Sequence, residues 1–229
     1  MSGQTFKDSP CFVAITGCTC KFASIGRLPH DSYIHTTRDD MATVCSGPVW
    51  NAHEQFGTTY QVSHLHPFFL EHRIDAIPAK PGRPGRTAID ARIYIAFSHH
   101  CFTQSLQAAG SYQSDETYVG NGEARCFSVD RWQLSQSLPT IVRELPARRL
   151  YHTRHHNYLT AEMGAGPSNG DYIIYFRAQR SRAVDVDIFI ESAYVRRDKP
   201  HLQKSAWKMG FNALLMNVLQ GRRPHPPPP

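Results

Sequence analysis

The side chains best suited to proton transfer are adjacent. His99 and His100 directly follow the alternating run from Ile89 to Phe97. An imidazole just past the end of a buried strand sits at the edge of the core with one nitrogen toward water, where it can accept a proton near pH 7. Neighbours on an extended chain point to opposite faces, so at most one of the two serves a single site and the other is structural or at the surface. Ser192 and Tyr194 close a second apolar run, in which Val184, Val186, Ile188 and Ile190 are expected to share one face with them. Hydroxyls where such a face stops can hold a phosphate or stabilise a developing charge. The plainer reading has Ser192 bonding backbone and Tyr194 topping the core. Arg131, Arg148, Arg149 and Arg177 form a third group, interleaved with Tyr151, Tyr158, Tyr172 and Tyr175. Guanidinium groups beside aromatic rings suit phosphate contact combined with base stacking, although a run of charge is more commonly a solvated face.

Several chemistries lack their motifs. The chain contains no H-E-x-x-H and no glycine-rich phosphate loop. His152, His155 and His156 form an H-x-x-H-H cluster with no acidic or cysteine partner at a recognised spacing, and Cys18 and Cys20 form C-x-C with no second pair to match. The six cysteines, at 11, 18, 20, 45, 101 and 126, read as free thiols. Neither a metal nor a cofactor is expected.

The elements that would position these residues follow from periodicity. Residues 1–55 show no sustained period and read as an irregular N-terminal extension, with Phe12 to Ile15 its most apolar part. Tyr60 to His66 alternates as a strand limited by Pro67, and Pro78 to Gly85 is a loop. Ile89, Ala91, Ile93, Ile95 and Phe97 predict a strand with one buried face. Residues 107–122 read as a polar surface loop before a short strand from Ala124 to Ser128. Asp130 is expected to cap a helix carrying Leu134, Leu138, Ile141, Val142 and Leu145, which Pro139 must kink or divide. A strand then begins in the basic stretch at Arg148, and a turn follows at 163–170. Tyr172 to Arg177 and Val184 to Tyr194 form a hairpin. Asn212 to Leu219 is a short helix or strand. The expected organisation is a single α+β domain over 56–223, an antiparallel sheet packed against one kinked helix, followed by a proline-rich tail at 224–229.

With 25 Lys and Arg against 19 Asp and Glu in 229 residues, the formal charge is +6, and the pI is near 9.1. RNA or another polyanion is the expected partner. No run approaches the roughly 18 apolar residues that span a bilayer, and the first residues lack a secretory signal pattern. The chain is therefore expected to be cytoplasmic and not membrane-bound.

Ordered this way, Asp130-Arg131 followed by Leu138-Pro139, the basic strand, Tyr172 to Phe176 and Glu191-Ser192-Ala193-Tyr194 resemble the barnase–EndoU–colicin–RelE class of small nucleases, especially phage-borne members. The likeness covers about residues 124–194. It implies metal-independent RNA cleavage, in which a general base activates the ribose 2′-hydroxyl and a basic group stabilises the phosphorane. Arg131 and Ser192 are the positions that carry over. The base falls to His99 or His100, the phosphate site to Ser192 and Tyr194, and charge neutralisation to Arg131 and Arg177. The competing expectation is a non-enzymatic phage or mobile-element protein that binds a host protein through its N-terminal extension.

Overall fold

Alternation from Ile89 to Phe97 produces a strand with one buried face, as expected, set next to the edge of the main sheet. The computed structural model describes residues 47–153, 158–164, 170–199 and 207–222. The expectations for Phe12 to Ile15, His155, His156 and the tail lie outside them. Twelve strands run in chain order among these residues: β1 His53–Gln55, β2 Thr58–Tyr60, β3 Phe68–Ile74, β4 Ile89–Phe97, β5 Thr103–Gln104, β6 Thr117–Gly120, β7 Glu123–Phe127, β8 Leu150–His152, β9 Tyr158–Glu162, β10 Asp171–Arg180, β11 Val186–Arg196 and β12 Trp207–Met209. Four helices accompany them: α1 Leu106–Ala109, α2 Val129–Ser135, α3 Leu138–Arg143 and α4 Phe211–Leu219.

The main sheet has seven strands in the order β12-β8-β9-β10-β11-β4-β3. It is not purely antiparallel as expected, because β11 runs parallel to β4, with Val186 opposite Ile93 and Ile190 opposite Phe97. A parallel pair needs a long crossover, and here it is the whole stretch from Ser98 to Asp185. β5, β7 and β6 form a separate small sheet, and β1 pairs with β2. The described fold therefore takes in residues ahead of position 56: Trp50 and His53 are buried and belong with the domain rather than with an extension.

One helix was expected after Asp130, and two are found. The cap is Ser128, whose Oγ accepts from the Arg131 amide, while Asp130 lies in the first turn, where its charge favours the helix N-terminus. Pro139 stands at the start of α3, where its missing N–H costs nothing, so the proline divides the segment rather than kinking it. Leu138, Ile141 and Val142 of α3 and Phe211, Leu214, Leu215 and Val218 of α4 are buried in the main core with Ile93, Ile95, Phe97, Ile174, Phe176, Ile188 and Ile190. Each such side chain contributes about 1.5–3 kcal/mol. The sheet thus packs against several short helices, not one.

Two strand expectations also change. The alternation at 60–66 resolves into the end of β2 and a 3-10 turn at Ser63–Leu65, and the strand there is β3, beyond Pro67. In β11 the alternation breaks. Tyr175 faces Ser192 and Phe176 faces Ile190, so Glu191 is the extra residue of a β-bulge. After the bulge Ala193 takes the core face, while Ser192 and Tyr194 stand opposite Tyr175 and Ile173, on the face that holds the small Tyr151–Ile173 cluster. They do not continue the Val186–Ile190 face.

Candidate functional site

Parallel pairing sets the carboxyl end of β4 beside the middle of β11, with Phe97 opposite Ile190. The chain leaves β4 through Ser98, whose amide donates to the Ile190 carbonyl at 2.9 Å and whose Oγ accepts from the His100 amide at 3.2 Å. The resulting 3-10 turn, His99–Cys101, holds the two imidazoles apart in environment. His99 is 3% exposed, its ring 5.0 Å from Trp50 and 6.2 Å from Tyr118. Gly120 makes that packing possible, since a Cβ there would meet the His99 ring at 2.9 Å. His100 is partly exposed, its side chain retaining 33% of its accessibility.

A carboxylate from elsewhere in the chain completes the group. Asn121 and Gly122 adopt left-handed backbone (φ 51° and 77°), the tight hairpin turn that Asn-Gly favours, and reverse β6 into β7. This sets Glu123 at the first position of β7. His100 Nε2 donates to Glu123 Oε2 at 2.9 Å, and His99 Nε2 lies 3.7 Å from the same oxygen. Arg125 donates from Nη1 to Glu123 Oε1 at 2.8 Å and from Nε to Thr103 Oγ1 at 2.9 Å. The bonds from His100 and then from Arg125 hold the Glu123 carboxyl down at about 2. Burial, with a smaller contribution from the charge of His100, pushes His99 down to about 4, so His99 is neutral near pH 7. Both its ring nitrogens are buried without a hydrogen-bond partner among the described residues. Ring nitrogens of His99 and His100 and a Glu123 oxygen all lie within 4.8 Å of one another, a spacing that a metal ion can bridge. Cys101 is fully buried and its thiol is pushed up to about 12, which leaves it inert as a nucleophile.

Arg131 ties this end to β11. Its Nη1 donates to the Thr103 carbonyl at 2.6 Å and to the His100 carbonyl at 3.3 Å, and its guanidinium lies 5.0 Å from the Tyr194 ring centre. Tyr194 in turn stacks on Tyr175 at 5.7 Å. His99, His100, Arg131 and Tyr194 are thus linked in one place, and Ser192 lies two residues before Tyr194 on the same face. Arg131 acts there as a pin, because the same Nη1 bonds two backbone carbonyls.

The remaining arginines lie elsewhere. Arg177 pairs with Glu191 at 2.5 Å and lines a cleft with Tyr94 and Phe189. Arg148 pairs with both Glu144 and Glu162. Together with Arg149, Tyr151 and Lys208 it lines a cleft of about 800 Å³ over β8 and β9. Of the four arginines singled out from sequence, Arg148 and Arg177 are ion-paired, while Arg131 bonds backbone carbonyls. His152 is buried beside Tyr158 and Trp207 rather than grouped with ligands among the described residues.

Glu123 and Arg125 were not singled out from the sequence, although Arg125 lies in the strand expected from Ala124 to Ser128 and Glu123 just before it. The Asn121-Gly122 dipeptide was the available signal: it marks a hairpin whose second strand must begin at Glu123.

The chain belongs to the YjaZ family, whose model matches residues 52–219. That span takes in every strand from β1 to β12 and all the site residues just described. No curated protein and no solved structure matches the chain.

Proposed function

We propose that this YjaZ-family chain is a metal-independent RNA-cleaving domain in which His100 is the general base and Glu123 orients it. The observation that carries the reading is the 2.9 Å bond between a partly exposed imidazole and an ionised carboxylate just beyond the end of β4. With Nε2–H held by the carboxylate, the lone pair of Nδ1 is the acceptor for a ribose 2′-hydroxyl proton. The carboxylate fixes the tautomer and stabilises the imidazolium that forms. His99 is the inferior base, since it is buried and held at about 4.

Substrate contact in this reading uses the sheet face opposite the helices. Tyr151, Tyr175, Tyr194 and Ser192 lie on it, with Arg196 donating to the Tyr175 hydroxyl at 3.1 Å. Arg149 and Lys208, both exposed, line the cleft at one side of it. Aromatic rings on an open sheet with flanking cations suit stacked bases and phosphates. Arg131 fixes the turn rather than neutralising substrate, and Arg125 is the cation that shares Glu123 with the base.

Incubating the full-length protein with total RNA in EDTA tests the reading. Cleavage is expected from the native chain and is expected to fall by about 10²–10⁴-fold in His100→Ala, the usual contribution of a positioned base. RNA left intact at a molar excess of native protein sinks it.

A further inference from the structure

We infer that His99, His100 and Glu123 form a binding site for one divalent transition-metal ion of the zinc class. Two imidazoles and one carboxylate are a donor set suited to such ions, and three protein ligands leave a fourth position open to water. The spacing fits. Bonds of about 2.0–2.1 Å in tetrahedral geometry separate ligand atoms by about 3.3 Å. The Glu123 oxygen lies 2.9 Å from one imidazole nitrogen and 3.7 Å from the other, on either side of that value. The two imidazole nitrogens themselves lie within 4.8 Å of each other.

A second observation points the same way. His99 is almost wholly enclosed by Trp50, Phe102, Tyr118 and Gly120, yet neither ring nitrogen hydrogen-bonds to a described residue. Leaving a buried acceptor or donor unsatisfied costs about 1–3 kcal/mol. The Glu123 oxygen stands 3.7 Å from Nε2, beyond hydrogen-bond reach. An ion between them would satisfy both. The surroundings also hold the donors in place: Arg125 bonds the other oxygen of Glu123, and Thr103 Oγ1 donates to the His99 carbonyl at 2.9 Å. Partners of this kind orient metal ligands and tune affinity.

The site uses the side chains of the proposed dyad but does not depend on RNA as substrate. A bound ion takes the lone pairs that a free base and its carboxylate need, so metal occupancy and metal-independent cleavage exclude one another.

Cobalt(II) titration of the full-length protein, stripped with EDTA and exchanged into chelator-free buffer, tests the inference by visible absorbance. One equivalent with the intense spectrum of a four-coordinate ion, displaced by zinc, is expected. Affinity should fall at least about tenfold in His100→Ala and in Glu123→Gln, while both variants keep the native unfolding temperature within a few degrees. Binding that the two variants leave unchanged would assign the ion to other histidines or cysteines and overturn the site, as would absence of saturable binding. RNA cleavage in EDTA without cobalt binding would remove the metal site alone. Cobalt binding without cleavage would remove the nuclease reading alone.

Discussion

Two regions of the molecule are rich in the residue types that suggested nucleic-acid chemistry, and they are built in opposite ways. In the cleft over β8 and β9, Arg148 is neutralised by Glu144 and Glu162, which lie 4 and 14 residues from it in the chain. Beyond the end of β4, His99, His100, Glu123, Arg125 and Arg131 come from a turn, a hairpin and a helix. One of them, His99, is buried with both nitrogens unsatisfied among the described residues. The first region is ion-paired, both Nη groups of Arg148 bonding carboxylates, although its Nε is buried without a partner among the described residues. The second has polar groups whose requirements the described chain does not meet, which is the arrangement expected where something binds or reacts.

The contrast can be broken by mutation. Arg131→Ala should cost about 2–4 kcal/mol, because it strands two carbonyls and removes the cation from the Tyr194 ring. Urea denaturation measures it, and a loss under 1 kcal/mol would show the pin to be dispensable. Gly120→Ala should cost about 1–3 kcal/mol, since its new methyl meets His99 and Trp50 at 2.9 and 3.0 Å. It should also alter Trp50 fluorescence. In the other region Arg148→Ala should cost no more than about 1 kcal/mol, as partly exposed ion pairs do. If Arg148→Ala proves costlier than Arg131→Ala, the comparison is inverted.

A smaller effect concerns acid. His53 is buried against Phe127 at 4.3 Å, and burial lowers its pKa below the ordinary 6.5. The unfolded chain then binds more protons than the folded one in the window beneath 6.5, so stability falls as pH drops through it and is fully present above it. His53→Phe should flatten the thermal-midpoint profile on the acid side of 6.5 and leave the neutral side nearly unchanged. An unaltered profile would show that His53 does not titrate this way.

How much of this was legible depends on which forces fixed each element. β4 and the β10–β11 hairpin were readable because one buried face imposes a period of two. The burial of His99 and the exposure of His100 also agreed with that alternation, although a 3-10 turn and not a strand produces them. Ser192 and Tyr194 were assigned to the wrong face because a single extra residue, Glu191, resets the phase, and nothing in its chemistry announces a bulge. Pro139 signalled a break in the helix, but its preference for the first turn decided that the break would be complete. The parallel pairing of β4 with β11 is a contact between strands about 90 residues apart, invisible to any local period, yet it gathers the site. Glu123 was the exception: Asn121-Gly122 marked its hairpin, and the polar surroundings concealed it. The arginines misled in a different way. Their number was evident, but the carboxylates that answer Arg148 and Arg177 become neighbours only in the folded chain.

The central claim is that His100 and Glu123 work as a pair, and Glu123→Gln tests it most directly. The glutamine keeps size and one acceptor oxygen for His100, but loses the acceptor for Arg125 and the charge that favours the imidazolium. Single-turnover cleavage of a defined RNA in EDTA should slow by at least about tenfold, with the unfolding temperature unchanged within a few degrees. Cleavage at the native rate by Glu123→Gln, or no cleavage by the native chain, would contradict the account.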